Sequence, residues 1–205
     1  LVAIASRTED KAIAAAREFG CEAVVGYEGL TTAAGVDALY MPLPTGLHEH
    51  WVNEALRAGK HLYVEKSIAL SHPEAEVMVA NARRHGRALM EGFMFQYHSQ
   101  HQRVRELLKD DAIGSLRHFS SSFGFPPLPP TDFRYERELG GGALLDAGAY
   151  PVRATHFLLG DSLRVRGATL CIDPRRQTDI YGSAFLANDA GLGASIAFGF
   201  EHFYQ

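Results

Sequence analysis

The chain has 205 residues and a formal net charge of −4, with 46% hydrophobic and 21% charged residues, a balance ordinary for a soluble globular protein that buries one large core or two small ones. No basic run exceeds Arg83-Arg84 or Arg175-Arg176, so nucleic acid has no electrostatic footprint here, and no apolar run is long enough to span a membrane. Two cysteines, Cys21 and Cys171, exclude a disulfide framework and suit the cytoplasm.

Residues 2–5 are apolar and β-favouring and predict a buried strand. It starts so close to Leu1 that the amino end reads as cut. Ala12, Ile13, Ala16 and Phe19 fall at helical spacing and predict a helix over 9–19, with Thr8 as its cap and Gly20 as its stop. A short strand over 23–25 and a brief helix over 28–34 follow. Residues 37–41 predict the next strand, closed by Pro42-Leu43-Pro44, and Thr45 is expected to cap a helix reaching Ala58. Another strand spans 61–64. Ser71-His72-Pro73-Glu74 is a capping box with proline in the first turn, opening a helix to His85. Residues 88–91 predict a strand, and 100–109 an amphipathic helix.

Strand and helix thus alternate over residues 1–114, which predicts a parallel α/β sheet of the Rossmann type. From Ser115 the rhythm changes. A strand over 116–125, a proline-rich loop, a helix over 143–159 and three strands near 163–172, 179–186 and 193–200 predict an α+β domain over 115–205 with a mostly antiparallel sheet. The run from Phe200 to Gln205 stops in mid-pattern, so the carboxyl end also reads as cut.

No Gly-x-Gly-x-x-Gly is present. If residues 2–5 are the second strand of a Rossmann unit, the first strand and glycine loop are missing. The second strand would then end beside the adenosine ribose, where an arginine accommodates a 2′-phosphate. Ser6-Arg7 at that point favours NADP(H) over NAD(H), although Arg7 also suits an exposed position before a helix. Pro42, Leu43 and Thr45 end the next strand as candidate cofactor contacts, and His48, one turn into its helix, is either a further cofactor contact or a partly buried helix histidine. His48 and His50 are wrongly spaced for one helical face and no His-Glu-x-x-His occurs, so no metal site is expected.

Tyr63-Val-Glu65-Lys66-Ser67 sets a carboxylate, an ammonium and a hydroxyl at a strand's carboxyl end, where open α/β sheets bind ligands. It is either a charged surface turn or the site of a proton donor, Lys66, with Glu65 orienting it or the nicotinamide ribose, and both residues are also candidate cofactor contacts. In Gly140-Gly141-Gly142-Ala-Leu-Leu-Asp146-Ala-Gly148-Ala-Tyr150, Asp146 and Tyr150 share a helical face. Gly148 clears space for a close neighbour, and Pro151 predicts a bend.

The Glu-Lys-Ser and Gly-Gly-Gly-x-x-x-Asp-x-Gly-x-Tyr stretches, in this order across a change of fold, resemble the glucose–fructose oxidoreductase/inositol dehydrogenase (Gfo/Idh/MocA) family. Within it, Glu91-Gly-Phe93-Met-Phe95, His98, the run from Phe123 to Pro130, Arg134-Tyr135 and Phe198-Gly-Phe-Glu-His202 resemble the NDP-hexose 3-ketoreductases of deoxysugar biosynthesis. The resemblance implies hydride transfer from NADPH to a keto-sugar held between two domains, with NAD(H) left open. It implies Lys66 as proton donor, Tyr150 on the same oxygen and Asp146 beside them. Phe93, Phe95 and His98 would line the substrate cleft, and Arg134 would meet a substrate phosphate. Ser67 departs from the family's usual proline. A same-family dehydrogenase of a free sugar or cyclic diol, and a non-catalytic nucleotide-binding homologue, are the alternatives. The partner is a sugar or nucleotide-sugar, and a homo-oligomer through the second domain's sheet is expected.

Overall fold

The computed structural model describes residues 1–202; the closing run from Phe200 is seen as far as His202, and 203–205 lie outside the described residues. The chain divides into two compact units, Leu1–Gly92 and Phe93–Gln205.

The first unit runs β1 (Ala3–Ser6), α1 (Glu9–Phe19), β2 (Glu22–Val25), α2 (Glu28–Thr32), β3 (Ala38–Met41), α3 (His48–Arg57), β4 (His61–Glu65), α4 (His72–His85) and β5 (Leu89–Gly92). Every pairing is parallel: β1 with β2, and β3–β4–β5 as a three-stranded sheet. Parallel neighbours need crossovers, and the helices between them supply those. The core forms where Leu39 and Met41 of β3 and Leu62 and Val64 of β4 meet Val52, Ala55 and Leu56 of α3 and Met78 and Ala82 of α4. Each large apolar side chain buried this way contributes about 1.5–3 kcal/mol. Between the two sheets a cavity of about 830 Å³ is walled by β1 and β3, with Phe19, Tyr27 and Trp51 at its sides.

Helix ends follow the sequence in part. Ser71 Oγ accepts from the Glu74 amide at 3.4 Å and donates to Glu74 Oε1 at 3.0 Å, while Glu74 Oε2 accepts the Leu70 amide at 3.0 Å, a variant of the capping box in which the carboxylate takes the amide one residue earlier. Gly20 and Gly86 end α1 and α4 with φ of 64° and 62°, the left-handed region. Thr8 stands at the start of α1 without a side-chain bond. Thr45 does not cap α3: it opens a 3₁₀ turn, Thr45–Leu47, and α3 starts after it. On α1, Ala12 and Ala16 are buried, whereas Ile13 and Phe19 are 42% and 59% exposed.

The second unit contains α5 (Ser99–Lys109), β6 (His118–Gly124), α6 (Ala149–Leu159), β7 (Arg164–Ile172), β8 (Asp179–Ala187) and β9 (Gly193–Gly199). The sheet order is β6-β9-β8-β7. β6 pairs with β9 in parallel and the other two pairings are antiparallel, so the sheet is mixed and mostly antiparallel. The units divide at Gly92, ahead of the boundary expected near Gly114, because α5 packs with the second unit. Its His101 ring lies 5.3 Å from Phe95 and 6.2 Å from Phe157, and its Arg105 guanidinium lies 5.1 Å over Phe157.

The helix expected over 143–159 is not uniform. A π turn, Leu144–Gly148, precedes α6. Pro151 has no N–H and its ring crowds the carbonyl four residues back; a π turn ahead of it widens the helix at that point. A Cβ on Gly148 would come within 3.0 Å of the Phe198 ring, so glycine there lets β9 lie close.

Candidate active site

In the first unit, the segments named from sequence all follow carboxyl ends of parallel strands. Ser6 closes β1 and Arg7 is exposed just after it. Pro42, Leu43 and Thr45 follow β3, while Glu65 closes β4 and Lys66 follows it. The Lys66–Ser67 peptide bond is cis. Glu65 Oε1 accepts from Tyr40 Oη at 3.0 Å, and the Tyr40 ring stacks on Tyr63 at 5.5 Å. Burial and the Glu65 carboxylate push the Tyr40 phenol above its usual pKa. Glu91, on β5, accepts the Ile68 amide through Oε1 at 2.8 Å and so ties down the loop that carries Lys66.

His48 lies beneath the same loop, fully buried. Its Nε2 is 2.7 Å from the Leu43 carbonyl, and its Nδ1 is 3.0 Å from the Ser67 carbonyl and 3.2 Å from that of Ile68. Carbonyl oxygens only accept, so both nitrogens donate only in the imidazolium. Burial lowers the His48 pKa, against the Leu43, Ile68 and Ser67 carbonyls and the Glu65 charge. For the neutral ring we assign the proton to Nε2, which makes the shortest contact. The ring expected as a cofactor contact is thus committed to supporting the Leu43 and Lys66 loops from below.

In the second unit, Tyr150 stands among aromatic rings: Phe123 at 4.8 Å, Phe93 at 6.0 Å and Phe95 at 6.3 Å. Phe93 is buried, and Arg153 lies over it at 5.9 Å while bonded to Gln96 at 3.0 Å. His98 is exposed and its Nδ1 accepts from the Gln100 amide at 3.2 Å, capping α5.

Arg134 departs from expectation. Its Nε donates to Asp146 Oδ2 at 2.9 Å and its Nη1 to Asp132 Oδ1 at 3.3 Å. Burial alone would lower its pKa, but the two carboxylates hold it above the usual value. A guanidinium already neutralised by two carboxylates is a poor receiver for a phosphate. In this structure Arg134 is bonded to Asp146 and Asp132. Two of the three glycines ahead of Asp146, Gly141 and Gly142, are set by close approach: a Cβ on Gly141 would stand 2.6 Å from the Arg134 carbonyl oxygen.

Among the described residues no group of three His, Cys, Asp or Glu is placed to hold a metal ion, and no helix is long and apolar enough to cross a membrane. Sequence reasoning missed Tyr40, and Glu91 as a loop tie. Tyr40 and Tyr63 are register partners on β3 and β4, a cross-strand relation that only strand pairing reveals.

Comparison with known proteins agrees with both units. Residues 1–93 match the model described as "Oxidoreductase family, NAD-binding Rossmann fold", and residues 101–205 the "GFO/IDH/MocA C-terminal domain". The chain is 45% identical over 204 residues to a dTDP-3,4-didehydro-2,6-dideoxy-alpha-D-glucose 3-reductase of Actinomadura kijaniata, covering 100% of this chain and 61% of that protein. It is 36% identical over 202 residues to D-xylose 1-dehydrogenase (NADP(+)) 2 of Haloferax volcanii, covering 97% of this chain and 61% of that one. A crystal structure of a 3-ketoreductase from Actinomadura kijaniata with NADP and TDP-benzene superposes with a TM-score of 0.97 at 45% identity, over 100% of this chain and 63% of that one. The chain therefore spans about 61% of the length of these curated relatives.

Proposed function

The chain belongs to the GFO/IDH/MocA oxidoreductase family, and from that premise we propose that the protein is an NADPH-dependent ketoreductase acting on the 3-keto group of a nucleotide-linked sugar in deoxysugar formation. The observation that carries the reading is Lys66, set just past the end of β4 on a loop whose Ile68 amide is bonded to Glu91. An ammonium fixed at a strand's carboxyl end suits protonation of a carbonyl oxygen as negative charge develops on it.

The residues at these strand ends fit a dinucleotide. Arg7 offers an exposed guanidinium after β1, the Pro42–Thr45 loop offers a stiff flat surface after β3, and Glu65 offers a carboxylate already oriented by Tyr40. NADPH, when bound, supplies the hydride. Lys66 stabilises the alkoxide and donates its proton. Tyr150 offers a phenol hydroxyl to the sugar from among Phe93, Phe95 and Phe123, whose rings exclude water around it. Asp146, oriented by Arg134, accepts from a sugar hydroxyl. Cys21 and Cys171 are free thiols, as suits the cytoplasm. The second unit's sheet leaves Val165, Leu170, Ile172 and Phe185 exposed, which supports self-association through it.

A second reading, a dehydrogenase of free sugars, draws on Arg134: its two carboxylates occupy the cation that a nucleotide phosphate would otherwise meet. The test is Lys66→Ala in the complete protein, assayed by NADPH oxidation with a nucleotide-linked keto-sugar and with free sugars. Turnover should fall about 10²–10⁴-fold with NADPH affinity within a few-fold. Unchanged turnover removes Lys66 from the chemistry, and activity confined to free sugars selects the second reading.

A further inference from the structure

Asp146 and Tyr150 lie on one continuous segment, the π turn Leu144–Gly148 and α6. Arg134 holds Asp146 and three Phe rings pack Tyr150, but the backbone that carries both also depends on the amino end of that segment. A helical start leaves amides without intrahelical partners, and the residues just before this one, three glycines and Ala143, carry no side chain able to cap it. The partner comes from far along the chain. Asp179, the first residue of β8, accepts the Leu144 amide through Oδ2 at 2.6 Å, and the neighbouring Ala143 amide also favours its charged form.

The fit is close on every side. Gly142 has φ 123°, and a Cβ there would stand 2.3 Å from Asp179 Oδ1. On the other side, the Gly142 amide donates to the Arg134 carbonyl and the Gly141 amide to that of Glu136, each at 2.9 Å. The glycine run is thus pressed between the Asp179 carboxylate and the main chain of Arg134, whose side chain in turn holds Asp146. Burial raises the Asp179 pKa while the Leu144, Asp179 and Ala143 amides oppose the rise.

We propose that Asp179 is a positioning residue for the reaction: from β8 it caps the segment that bears Asp146 and Tyr150 and sets where those side chains stand. This rests on the ketoreductase reading for its catalytic consequence, but the cap itself is separately measurable. In the complete protein, Asp179→Ala should speed hydrogen exchange at the Leu144 and Ala143 amides and lower kcat by roughly tenfold or more, with the KM for NADPH within about twofold. Asp179→Asn keeps an acceptor oxygen in the same place and should restore most of both.

Slow exchange at Leu144 in Asp179→Ala overturns the cap. Fast exchange with kcat per folded molecule unchanged overturns the positioning role and leaves a purely structural one. A wild-type protein that reduces no keto-sugar refutes the ketoreductase reading instead, and the exchange measurements still decide the cap.

Discussion

Replacing His48 by Phe tests whether the two loops at the strand ends rest on this ring. Phe keeps an aromatic ring at a fully buried position, but a six-membered ring replaces the smaller five-membered imidazole, so a modest overpacking cost adds to the loss of hydrogen bonding. At neutral pH the loss is the Nε2–H bond to the Leu43 carbonyl at 2.7 Å. Leaving such an acceptor buried costs about 1–3 kcal/mol. Leu43 is only half-buried and water can replace part of the bond, so the lower half of that range is expected. Urea unfolding followed by fluorescence reads this directly, because the single tryptophan, Trp51, sits on α3 with His48. The pH dependence adds a second arm. His48 has a folded pKa below its ordinary value, chiefly through burial. The unfolded chain therefore binds the proton first, and the stability His48 contributes is full above about pH 6.5 and lost as pH falls through the folded pKa. His48→Phe should flatten that acid loss. A variant with the wild-type urea midpoint at pH 7.5, or with the wild-type loss of stability on acidification, refutes the reasoning.

Arg7→Glu should shift preference from NADPH towards NADH, since one charge-assisted contact to a 2′-phosphate is worth about 10–100-fold in affinity; equal loss for both cofactors would remove Arg7 from that role. Tyr150→Phe should keep the ring packing with Phe123 at 4.8 Å and lower kcat by about 10²-fold, measured against a circular dichroism spectrum that stays unchanged. Arg134→Met should strip Asp146 of its partner at 2.9 Å and lower kcat, with the KM of a nucleotide-linked substrate changing less than about threefold. A rise in that KM alone would return Arg134 to phosphate binding.

The features legible in sequence were those that a short window contains. Ser71 and Glu74 lie three residues apart and make the capping box that their spacing implies. Gly20 and Gly86 stop their helices because the left-handed turn suits glycine. The alternation of strand and helix implied parallel pairing, and the motif around Lys66 marked the end of β4. Local propensity also overreached: Thr8 and Thr45 are good capping residues that make no side-chain cap here.

By itself the sequence determined most of the strands and helices and that the first half is a parallel α/β unit, because periodicity and end signals depend on near neighbours, and it singled out Glu65-Lys66-Ser67 and Asp146-x-x-x-Tyr150 as candidates for the chemistry. Tertiary structure alone decided what those residues lean on. Arg134 turned to Asp146 rather than to solvent, His48 was buried under two loops, and Asp179 was brought to Leu144 across a separation of 35 residues. Such partners are set by strand order and register, in which a shift of one residue reverses the face each side chain takes, and no local pattern encodes which distant element will supply the missing acceptor.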